Sequence, residues 1–148
     1  MSGGIPHLVR RAVSSLRNHE PSPEGTAAAR AVLGGPEFAM WSSMQARDRR
    51  HSLQVLARFD ALRPGSPRPE RAAALLHDVG KAASPLGWAG RVAATLLGGR
   101  TAAMRLYLDH ERIGAAMLRP VSDPRTVELV AGLSRDEAAD ALRRADDV

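Results

Sequence analysis

The chain has 148 residues, 44% of them hydrophobic and 25% charged, the length and composition of one globular domain. It has no cysteine, which excludes a disulfide scaffold, a thiolate metal site and a cysteine nucleophile together. The net charge of +5 comes from arginines spread along the whole chain, and with two Trp, two Phe and one Tyr there is no platform for stacked bases, so nucleic acid is not expected as the main partner.

The hydrophobic pattern is helical nearly throughout, with no convincing period-two stretch. A basic helix is expected over 5–17, followed by the linker NHEPSPEG at 18–25 and a short helix over 26–33. Pro36 suits the first turn of the next helix, which carries Phe38, Met40 and Trp41. A longer helix is expected over about 46–62, ending before the turn-rich RPGSPRP at 63–69, and then a helix over 69–78 closed by Gly80. Ser84-Pro85 opens a helix to about 97, Gly98-Gly99 breaks it, and the pattern resumes from 101 to 119 with a bend near 109. Asp123-Pro124 reads as a cap with a first-turn proline, and Ser134-Arg-Asp-Glu137 has capping-box spacing for a last helix. The expected architecture is a single-domain, all-α helical bundle, with residues 1–35 as an N-terminal helical extension and linker and 36–148 as the domain. No apolar run approaches the roughly 20 residues of a membrane span, and the start lacks the apolar centre of a signal peptide, so a cytoplasmic location is expected.

The chemistry concentrates in Ala74-Leu-Leu-His77-Asp78-Val-Gly80-Lys81. Adjacent His and Asp at the end of an apolar helix are expensive to bury, and a divalent cation compensates both, because imidazole and carboxylate are suitable ligands. His51 shares its helix face with Val55 and Phe59, so it falls on the apolar stripe. In the last helix Asp146 lies four residues after Leu142 on the apolar side, whereas Asp147 follows Arg143 and Arg144 at ion-pair spacing. That phase selects Asp146 over Asp147 as an inward-facing carboxylate.

His51, His77-Asp78 and Asp146 in this order resemble the HD-domain metal-dependent phosphohydrolase superfamily, over about residues 36–148. The resemblance implies a helical bundle of the HD type in which His51, His77, Asp78 and Asp146 ligate one divalent metal. Lys81, the single lysine of the chain, matches a lysine that often follows the motif and meets substrate phosphate; a helix-end charge is the plain alternative. His110, Gly114 and Leu118 are similar to the His-x-x-x-Gly-x-x-x-Leu segment of HD-GYP-type members, but no Gly-Tyr-Pro element follows, which disfavours cyclic-dinucleotide hydrolysis. His110 is then read as a contact to phosphate or leaving group, a ligand to a weak second metal, or a core histidine.

The function implied is hydrolysis of a small phosphorylated, nucleotide-like substrate. Asp78, Lys81 and His110 are its candidate catalytic residues, and manganese, iron, cobalt, nickel, zinc or magnesium the candidate ion. Two alternatives fit the same residues: an iron oxygenase of the HD type, and a non-catalytic metal-binding regulatory domain. Asp48, Asp109 and Glu111 are candidates to orient the histidines, and Arg47, Arg50, Arg100 and Arg105 to line an anion-accepting rim, though exposed surface is the plain reading of each. His7 and His19 read as surface, and Trp41, Phe38 and Phe59 as core. No phosphate-binding glycine loop or Gly-x-Ser-x-Gly elbow is present.

Overall fold

The computed structural model describes residues 19–83 and 109–148, and among these all regular structure is helical. The helices are α1 (Pro23–Val32), α2 (Gly35–Ser43), α3 (Ala46–Leu62), α4 (Arg68–Leu76), a 3-10 helix (Val79–Ala83), α5 (His110–Leu118), α6 (Pro124–Val130) and α7 (Glu137–Asp146). The helices expected over 5–17 and from 84 to about 97, the break at Gly98-Gly99, the stretch 101–108, and His7, Arg100 and Arg105 lie outside the described residues. Among the described residues no helix is long and apolar enough to cross a membrane.

Local chemistry accounts for most helix starts. Ser22 Oγ accepts from Gly25 N at 3.0 Å to open α1, and the Glu37 carboxylate accepts from Gly34 N at 2.8 Å to open α2 beside Pro36. Asp123 accepts from Arg125 N at 2.8 Å ahead of Pro124, as its sequence pattern foretells. At α7 the expected capping box is corrected. Asp136, not Ser134, caps the helix by accepting from Ala139 N at 3.0 Å. Ser134 is buried and receives the Arg125 guanidinium at 3.3 Å.

Helix α4 is the central element, with α1, α2, α3 and α6 packed on it. Its run from Ala72 to Leu76 is fully buried, so this helix is apolar all round where it crosses the core. Ala29, Val32 and Leu33 bring α1, part of the stretch read as an extension, into the same core. Val55 and Phe59 of α3, Trp41 of α2 and Leu118 of α5 complete it, each large apolar side chain contributing roughly 1.5–3 kcal/mol by burial. Trp41 keeps its polar edge satisfied, Nε1 donating to Ser52 Oγ at 2.9 Å, which in turn donates to Arg49 O at 2.7 Å.

The end of α4 also departs from expectation. The helix stops at Leu76, and Gly80 sits inside the 3-10 turn with an ordinary negative φ rather than as a left-handed terminator. Its requirement is spatial. A Cβ there would stand 1.9 Å from the His110 carbonyl oxygen and 2.7 Å from Gly114 N. Absence of a side chain lets α5 pack directly on the 3-10 turn, which brings His110 to Asp78.

Candidate metal centre

His77 is the C-cap of α4, directly after Leu76, where the core ends. Its Nδ1 lies 2.8 Å from the Ala74 carbonyl. A carbonyl only accepts, so Nδ1 carries a proton, and in the neutral ring an unprotonated Nε2 is turned the other way. That Nε2 is buried and has no hydrogen-bond partner. It faces Asp146 Oδ1 at 3.2 Å and Asp78 Oδ2 at 3.4 Å. A lone pair aimed at two carboxylate oxygens is unfavourable unless a proton or a metal cation lies between them. Burial works against protonating His77, but Asp146 and Asp78 outweigh it and move its pKa above the ordinary value.

Asp78 is 4% exposed, accepts from Lys81 Nζ at 2.8 Å through Oδ2, and has His110 Nε2 at 3.4 Å from Oδ1. Burial alone would raise its pKa; His77, Lys81 and His110 together hold it below the usual carboxylate range, so it is an anion. His51 is 32% exposed, one turn beyond the buried Val55, and its Nε2 donates to Asp146 Oδ1 at 2.8 Å. That bond, and next the approach of His77, hold the Asp146 carboxyl well below its ordinary range although it stands at the rim, 43% exposed. The His51 and His77 rings meet edge-on at 5.7 Å between centroids.

One ligand atom from each of His51, His77 and Asp78 lies within 4.8 Å of the others, and Asp146 flanks the two imidazoles. Small side-chain rotations would bring such atoms to bonds of about 2.0–2.2 Å around a common ion. The set is all nitrogen and oxygen, with one buried nitrogen otherwise unpartnered, and it fits a divalent cation. Asp147, by contrast, is the exposed C-cap of α7.

A cleft of about 180 Å³ opens beside this cluster, lined by the buried His77 and by His110 and Asp146. The other residues singled out from the sequence fall elsewhere. Asp48 is buried on α3, Asp109 pairs with Arg112, Arg47 is exposed, and Arg50 donates to the His19 carbonyl at 2.6 Å. The group that orients His77 is the Ala74 carbonyl, which no side-chain pattern announces. Arg58, two turns along α3 from His51, donates to the Ala145 carbonyl at 3.0 Å and ties the end of α7 to α3. Its seven-residue spacing from His51 was the available signal.

No family model, curated protein or solved structure matches the chain. The resemblance to HD domains therefore rests on the sequence motif alone.

Proposed function

We propose that the chain is a metal-dependent phosphohydrolase of the HD type, acting on a small phosphorylated substrate. The observation that carries this reading is the convergence of His51, His77 and Asp78 within 4.8 Å, with the buried, unpartnered His77 Nε2 among them. His51, His77, Asp78 and Asp146 would hold the ion. A divalent cation bound there would polarise a phosphoryl oxygen and lower the pKa of an adjacent water, an effect worth several kcal/mol of barrier.

The chain's own groups do the rest. Asp78, kept ionised and oriented by Lys81, is an acceptor for a water proton, and the Lys81 ammonium offsets negative charge on the phosphate. His110 lies between Asp78 and the cleft, where it can give a proton to the departing oxygen. Water adds to phosphorus, the P–O ester bond breaks, and one water proton ends on the leaving alcohol, giving inorganic phosphate.

The test is phosphate release from a panel of phosphomonoesters and nucleotides with manganese, cobalt, nickel, zinc or iron supplied. Asp78→Ala is expected to reduce release to background. Wild-type turnover in that variant, or no release by the wild type with any ion, contradicts the assignment. Oxygen consumption with iron and no phosphate release would point to the oxygenase chemistry instead.

A further inference from the structure

The cleft above the candidate ion site carries charges that the hydrolytic reading leaves unused. Its walls include the apolar Leu129, Val130 and Leu142, and its mouth carries Glu111, Arg135 and Arg143. Arg143 pairs with Asp140 on its own helix. Arg135 donates from Nη1 to the Gly132 carbonyl at 2.9 Å and the Ser134 carbonyl at 3.2 Å. Among the described residues neither Arg135 nor Glu111 has an ion-pair partner.

Both charges border one glycine. Gly132 has φ +69, and a Cβ there would stand 2.9 Å from Glu111 Oε2, so the carboxylate lies directly against its backbone while Arg135 grips its carbonyl. The loop beneath them is braced. Arg125 reaches Ser134 Oγ at 3.3 Å and Asp136 Oδ2 at 2.5 Å, and Asp136 caps α7. A cation and an anion are thus set on one mouth without a direct ion pair between them. A ligand of a single sign gains one attraction and meets one repulsion there; a ligand bearing both signs gains two attractions.

We infer that Glu111 and Arg135 select a substrate whose leaving group is a small zwitterion, an O-phosphorylated amino acid, with its ammonium toward Glu111 and its carboxylate toward Arg135. This inference rests on the phosphohydrolase reading and narrows its substrate. The cleft's roughly 180 Å³ is below the approximately 300–1,000 Å³ of pockets for drug-sized ligands, which suits a leaving group of a few carbons. The phosphate then lies over His77 and Asp146, and the short carbon chain along Leu129 and Leu142.

Four probes separate the contributions: O-phosphoserine carries both charges, phosphoglycolate only the carboxylate, phosphoethanolamine only the ammonium, and ethyl phosphate neither. With the manganese-loaded full chain, kcat/KM for O-phosphoserine is expected to exceed that for ethyl phosphate by about tenfold or more, the others falling between. Glu111→Gln should shrink the preference of phosphoserine over phosphoglycolate, and Arg135→Gln that of phosphoserine over phosphoethanolamine, each mainly through KM. Calorimetric binding of O-phosphoserine gives a readout independent of turnover, and both variants should weaken it. Equal affinity for O-phosphoserine and ethyl phosphate, better turnover of a nucleoside monophosphate, or variants with unchanged preference would overturn the inference. Selective phosphoserine binding without phosphate release would uphold it and overturn the hydrolase reading alone.

Discussion

Two polar clusters sit at opposite ends of α4, and they solve burial differently. At the N-terminal end Glu70, 9% exposed, has both oxygens satisfied by protein cations: Arg63 at 3.2 Å from Oε2 and Arg125 at 3.1 Å from Oε1. At the C-terminal end Asp78 and Asp146 converge with His51, His77 and His110, Lys81 donates to Asp78, and His77 Nε2 makes no hydrogen bond. The first cluster is complete with guanidinium forks, whose geometry suits carboxylates. The second gathers imidazole nitrogens and carboxylate oxygens, donors of the kind that ligate a divalent cation. Similar residues thus build a clamp at one end and, on the proposed reading, a receptor for an ion at the other.

That contrast breaks if removing one clamp member is cheap. Glu70→Ala leaves two guanidiniums facing each other, and should cost about 3 kcal/mol, the low end for a broken buried pair because both arginines keep about a quarter of their surface in water. Denaturant unfolding checks it, and metal content per folded chain should not change. At the receptor end, Asp146→Asn should weaken metal binding about a hundredfold, equivalent to about 2.7 kcal/mol, while Asp147→Asn leaves it within error. Equal losses in calorimetric metal titration would show that Asp146 is not a ligand. Gly80→Ala should lower stability by about 2 kcal/mol as the new methyl meets the His110 carbonyl, and reduce phosphate release more than metal content. The smallest effect is acid sensitivity at the clamp. The Ala139 N–H first, then Arg125 and Ser134, outweigh desolvation and lower the Asp136 pKa from 3.8 to about 2. A lowered pKa stabilises the folded state fully above about 3.8, and the benefit is lost as pH falls through about 2. Asp136→Asn keeps a cap but should flatten stability across that window, as unfolding midpoints measured against pH would show.

Helix α3 was readable to its ends because a clean apolar stripe, with Val55 and Phe59 buried, runs between turn-forming residues. The Asp123-Pro124 start was readable because cap and proline act locally. The same phase reasoning singled out His51 and Asp146, which meet at 2.8 Å, though Asp146 stands exposed at the rim rather than facing inward. What escaped depends on tertiary contact. Ser134 has the capping-box spacing to Glu137, but an Arg125 guanidinium from another helix draws it away, and Asp136 caps instead. Gly80 resembles a helix terminator until α5 is brought against it. The Ala74 carbonyl that fixes the His77 tautomer has no residue-type signature at all.

The central claim is that His77 presents a nitrogen lone pair to a shared cation. Titrating manganese or zinc into the metal-free wild type and His77→Ala, followed by calorimetry with circular dichroism confirming that both are folded, tests it most directly. The account expects one divalent ion per wild-type chain and no comparable uptake by the variant. Equal stoichiometry and affinity in the two folded proteins would contradict it.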